Sequence, residues 1–98
     1  DSVDHLLAKF FYTYYTLKDY PQAYAIIQQA ERLSPSDVRI LSVKTWIQRR
    51  LGDFDGRIEV FKKLILLDPR NPQHVELLAW NLMRTHQYDS AKTLIDAV

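Results

Sequence analysis

The side chains able to do chemistry in this chain are spaced in ways that argue against catalysis. His5, His74 and His86 are not at i, i+4 spacing, and none joins a carboxylate in a metal-binding pattern. Each therefore reads as a solvated or helix-end residue. No serine sits in a Gly-x-Ser-x-Gly elbow. The two glycines, Gly52 and Gly56, cannot form a phosphate-cradling loop. Cysteine is absent, which removes disulfides, thiolate nucleophiles and zinc–thiolate sites and fits a reducing compartment. Asp53, Asp55 and Asp68 cluster at turns, where helix capping accounts for them. The expectation is a non-enzyme with no catalytic residue, no cofactor and no metal.

The elements that must position whatever function remains are helical. With 98 residues the chain is bounded to one small domain. It is 47% hydrophobic and 26% charged, as soluble globular proteins are. No apolar run approaches bilayer-spanning length, so membrane insertion is not expected. The net charge of +1 gives no global drive toward nucleic acid or anionic lipid. No segment alternates with the period of a strand. Periodicity and breakers predict helices over about 3–17, 21–33, 36–51, 54–67, 72–85 and 88–98. Pro21 and Pro72 suit first helical turns, and Ser36 or Asp37 suits an N-cap. The connections are short, so consecutive helices are expected to be antiparallel neighbours.

The helices repeat. Tyr20, Phe54 and Tyr88 are spaced by 34 residues, each after a short polar turn, and Pro35 and Pro69 keep the same spacing. Ala23, Arg57 and Ala91 share a phase, as do Ile27, Phe61 and Ile95, then Ala30, Leu64 and Val98. The stretch "GDFDGRIEVFKKLILLDPRN" resembles the Gly-Asp-Tyr-Asp-Glu-Ala signature of the tetratricopeptide repeat running into Leu-Asp-Pro, and "KDYPQAYAIIQQAERLSPSD" and "HQYDSAKTLIDAV" resemble further copies. The resemblance implies an all-α fold, a right-handed α-solenoid of antiparallel helix pairs with about six helices. It implies one domain, 1–98, with repeats at about 4–37, 38–71 and 72–98. In the helix at Val38–Leu51 the apolar stripe Ile40, Leu41, Val43, Ile47 and Leu51 lies about one residue from the expected packing positions, which hold Lys44, Thr45 and Gln48. Leu7, Phe10, Phe11 and Tyr14 are expected in the core, as are Leu78, Ala79, Leu82, Ala91 and Ile95. Phe11 and Phe61 are expected to be among the costliest side chains to truncate.

In that family the first helix of each pair lines a concave surface. Carried over by position, the partner-binding residues are Lys9, Tyr12, Tyr15, Arg39, Trp46, Arg49, Arg50, Trp80, Met83 and Arg84. Tyr12, Trp46 and Trp80 share one phase. Aromatic and arginine side chains are favoured interface anchors, and the arginines favour acidic residues or a C-terminal carboxylate in the partner. The family's dicarboxylate clamp is matched only by Lys9, its asparagine being absent. The expected function is a protein-interaction module or scaffold that holds a partner peptide or helix. Two alternatives are a small chaperone of a bacterial type III-like secretion system and an RNA-binding helical repeat. The second rests on Arg49, Arg50, Lys62, Lys63 and the tryptophans; nucleic acid is the less expected partner because basic residues concentrate in 38–71. Leu94, Ile95 and Val98, partly bare at an open end, imply a missing cap, self-association or a bound partner. The missing initiator Met suggests a trimmed chain, and the expected location is cytoplasmic.

Overall fold

A computed structural model describes residues 2–97, and the described residues form helices and turns without strands. Helix α1 is Val3–Phe11 and continues as a π-helical segment, Tyr12–Leu17; α2 is Tyr20–Leu33, α3 Val38–Leu51, α4 Phe54–Leu67, α5 Pro72–Arg84 and α6 Tyr88–Asp96. The sequence bounds agree within two residues at each end. Val98 and the expectations resting on it lie outside the described residues.

Five of the six helix starts carry a side-chain cap. Ser2, Asp19, Asp37, Asp53 and Asn71 accept hydrogen bonds from first-turn amides, those of His5, Gln22, Arg39, Gly56 and Gln73. Gln87, before α6, makes no such bond. Each cap supplies an acceptor for an otherwise orphaned N–H, worth about 1 kcal/mol. Three of the turns between helices are left-handed at one residue: Lys18 at φ 53°, Gly52 at φ 78° and His86 at φ 60°. These positions keep the repeat spacing of 34. Only the middle turn uses glycine, which carries no Cβ penalty there.

Segments Val3–Phe11 and Tyr12–Leu17 hold nine and six residues, together one more than the fourteen of α3. The first helix widens to i→i+5 bonding before its left-handed exit. The Thr13 carbonyl accepts from both the Lys18 and Asp19 amides.

Contacts gather into two compact units that divide between Gly52 and Asp53. In the first, α1 packs on α2 and α2 on α3. Leu6, Phe10, Ile27, Ala30, Ile40 and Ile47 are fully enclosed. Phe11 is not a core residue; it is 37% exposed and Phe10 is buried instead. Leu6, Phe10 and Thr13–Tyr14 recur at helical spacing, and Phe11 falls one position past that stripe. Helix α3 is not rotated by a residue, as its sequence suggested. It has two buried stripes: Ile40, Val43 and Ile47 in the first unit's core, and Leu41, Thr45 and Gln48 beside it, while Leu51 is exposed.

In the second unit α4 packs on α5 and α5 on α6. Phe61, Leu64, Leu78, Ala79, Leu82 and Ala91 are buried, whereas Ile95 is 51% exposed. Arg57 is also buried, at the phase where the other copies have alanine. Its Nη1 donates to Asn81 Oδ1 (3.2 Å), and Asn81 Nδ2 donates to the Phe54 carbonyl (2.7 Å). The guanidinium carbon lies 5.1 Å from the Phe61 ring centre. His74, expected in solvent or at a helix end, is buried in the first turns of α5, its Nε2 3.0 Å from Asp68 Oδ2. No helix among the described residues is long and apolar enough to cross a membrane.

Candidate functional site

The ten residues singled out from the sequence are all exposed. Seven belong to the first unit and three to the second. Each unit is therefore built up separately.

In the first unit the recognition residues stand on α1, its π-helical extension and α3. Tyr12 and Tyr15 leave the π segment 58% and 60% exposed, and Trp46 rises from α3 at 39%. They differ in what holds them. Tyr12 has no ring contact among the described residues. Tyr15 stacks on Phe11 at 6.3 Å and meets the edge of Tyr14 at 5.0 Å. Trp46 leans against Phe11 and Tyr14 at 6.1 and 6.3 Å. The result is a partly open aromatic ladder, rooted through Tyr14 on buried Phe10 (5.4 Å). Beside it Asp4, Leu7, Ala8, Phe11, Arg39 and Val43 line an open hollow of about 410 Å³.

The cations of this unit are held in two ways. Arg39 is tied to carboxylates: Nη1 lies 2.8 Å from Asp4 Oδ1 and Nη2 2.9 Å from Asp37 Oδ2. The Arg39 hydrogen bond holds the Asp37 carboxyl below its ordinary pKa, and the carboxylates in turn raise Arg39. Arg50 is tied to rings. Its Nε donates to the Tyr14 hydroxyl (3.1 Å), and its guanidinium carbon lies 5.8 and 5.4 Å from the Tyr14 and Tyr20 ring centres. That hydrogen bond raises the Arg50 pKa. Lys9 and Arg49 are exposed on the same helices.

In the second unit the residues stand on α5. Trp80 is 42% and Met83 50% exposed. Arg84 lies over two rings, 4.9 Å from Phe54 and 5.1 Å from Trp80. A second hollow, about 520 Å³, opens between Leu78 and Leu82 of α5 and Thr93 and Leu94 of α6.

The reading of the sequence missed the rings that fix the arginines. The signal was present: Tyr20 and Phe54 share a repeat phase, Arg50 and Arg84 share another, and each arginine follows its ring by the same separation. Among the described residues no three His, Asp or Glu side chains converge as metal ligands would. The chemistry on offer is apolar contact, stacking and charge-assisted hydrogen bonding.

The tetratricopeptide-repeat family model matches residues 40–71. No curated protein matches the sequence. Several solved structures match the fold. SycD, a type III secretion translocator chaperone of Yersinia enterocolitica, is 20% identical with a TM-score of 0.78, over 94% of this chain and 68% of SycD. The TPR2B domain of yeast Sti1, solved in complex with a pHsp70 species, is 23% identical with a TM-score of 0.79, over 97% of this chain and 75% of that one. MamA AMB-1 is 19% identical with a TM-score of 0.82, over 98% of this chain and 52% of MamA. Residues 40–71 match the tetratricopeptide repeat, and the chain as a whole shares the all-α helical-repeat fold of these structures.

Proposed function

We propose that this chain is a non-enzymatic protein-interaction module, which binds a partner peptide or helix through the exposed faces of α1 and α3 in the first unit and α5 in the second. One observation carries the reading. Large rings that a folding chain normally encloses are kept half in water at Tyr12, Tyr15, Trp46 and Trp80, on the helices that also present Arg50 and Arg84. Exposed aromatic and arginine side chains are what partner interfaces use as anchors. The family matched is one of interaction repeats rather than of catalysts. The likeness to SycD supports the fold; no residue of this chain adds a secretion chaperone's cargo to it. The absence of cysteine supports a reducing compartment.

Selection of displayed random peptides on the folded chain tests the reading. The expected result is a recurring peptide family whose affinity drops about thirtyfold on Trp46→Ala or Trp80→Ala, the loss typical of an anchor residue, with the circular dichroism spectrum unchanged. Light scattering after size exclusion runs alongside, where a monomer is expected. A dimer that dissociates on Trp80→Ala would give that face to a second copy of the chain and sink the proposal. So would peptide binding displaced by single-stranded RNA with a steep salt dependence.

A further inference from the structure

Of the arginines that lie on rings, the two exposed ones are built alike. Arg50 and Arg84 are one repeat apart, and each follows a tryptophan by four residues, in "WIQRR" and "WNLMR". Each is laid over an aromatic residue that opens the preceding helix, Tyr20 for Arg50 and Phe54 for Arg84. Each has a second ring, Tyr14 or Trp80. Among the described residues neither arginine has a carboxylate within ion-pair reach. Arg39, Lys44, Lys62 and Lys92, by contrast, are paired with acids.

A guanidinium lying on rings gives up hydration on its flat face but keeps its edge N–H groups. The Arg50 Nε is spent on the Tyr14 hydroxyl, which leaves its two Nη groups. The Arg84 side chain donates no hydrogen bond among the described residues. Both present a pre-oriented fork of donors, the geometry that pairs bidentately with a carboxylate. The rings have already fixed the side chain, so little rotamer entropy is left to lose when an acid binds. The Arg84 fork lies on the exposed Trp80 indole, and Arg50 stands one helical turn after the exposed Trp46, so each unit offers one charge-assisted contact near one apolar contact.

We propose that Arg50 and Arg84 are acid-recognition points, and that the partner segment at each unit carries an Asp, Glu or terminal carboxylate next to an apolar side chain. This rests on the interaction-module reading and deepens it. A peptide fits better than a nucleic acid, because a phosphate backbone asks for many cations and the net charge here is +1.

The chain's two tryptophans are the two indoles concerned, so emission reads each unit separately in W46F and W80F. The probes are a short peptide alternating glutamate with leucine, its glutamine–leucine counterpart, and oligouridine. Binding of the glutamate peptide reported by Trp80 should weaken about tenfold on Arg84→Gln, and less on Arg84→Lys, which keeps the charge but loses the fork. Arg50→Gln should do the same to the Trp46 signal. The glutamine peptide should bind more weakly and ignore both substitutions. Equal binding of the two peptides would overturn acid recognition while leaving the interaction module standing. Failure of both peptides would count against both readings. Arg→Gln variants that melt lower but bind unchanged would make the arginines helix-to-helix staples and overturn the proposal, and tighter binding of oligouridine would overturn it in favour of RNA. If a glutamine variant does not fold, unchanged affinity in the lysine variant overturns it too.

Discussion

The two units solve the same packing problem with different chemistry. Where the first repeat puts Ala23, fully buried, against an apolar core of Leu6, Phe10 and Ile27, the second puts Arg57, equally enclosed and bound to Asn81. Alanine at that position lets two helices approach and asks for nothing else. Arginine asks for an acceptor, and the second unit supplies one from α5, then anchors that acceptor on the Phe54 carbonyl. The first unit therefore rests on apolar area, which is non-directional and tolerates small shifts. The second rests partly on a chain of hydrogen bonds that fails when one member is lost. One repeat template accommodates both because the helix pair fixes only where side chains meet, not which force joins them.

The sharpest way to break this comparison is in the first unit. Phe10→Ala removes a fully enclosed ring and should lower stability by about 3–5 kcal/mol, measured by urea unfolding followed at Trp46. Phe11→Ala, from a ring already 37% exposed, should cost about 1 kcal/mol through lost contact with Tyr15 and Trp46. Equal losses would mean the enclosed stripe does not carry the unit.

The second unit is tested by Asn81→Leu. The substitution takes one acceptor from a buried guanidinium and removes the Asn81 donor from the Phe54 carbonyl, and should cost about 2–3 kcal/mol by the Trp80 signal. Adding Arg57→Ala restores the small residue of the other copies and should recover part of that loss, because the charge no longer needs a partner. A double variant less stable than Asn81→Leu alone would show that Arg57 stabilises the unit through the Phe61 ring rather than through Asn81.

How much of this was legible depends on what each feature rests on. The helices were readable because periodicity marks the segments and prolines or capping side chains mark five of the six starts. The exposed faces were readable because the repeat carries a phase from copy to copy. Phe11 was misplaced because two adjacent phenylalanines look alike in composition, and only the helical angle separates them. The second buried stripe of α3 was hidden because Thr45 and Gln48 have the polar side chains of surface residues. Arg57 and Asn81 are far apart in sequence and become a pair only once α4 and α5 lie together. The π-helical end of the first helix left no mark either, since the turn after it keeps the repeat spacing.

Those turns give the smallest test, and the one that isolates backbone from packing. Lys18, Gly52 and His86 hold the same left-handed conformation. A side chain there crowds the following carbonyl at about 1 kcal/mol, and glycine escapes that cost but has more freedom to lose on folding. Lys18→Gly should therefore stabilise the chain by about 0.5 kcal/mol, a rise of a few degrees in Tm. Gly52→Ala should do the reverse by about 1 kcal/mol; open space surrounds its Cβ position, so strain alone would be responsible. His86→Gly should gain less than Lys18→Gly, because it also gives up the bond between His86 Nδ1 and the Tyr88 hydroxyl. If Lys18→Gly destabilised the chain, the left-handed exit would be held by the lysine itself, and the three turns would share a shape without sharing its cause.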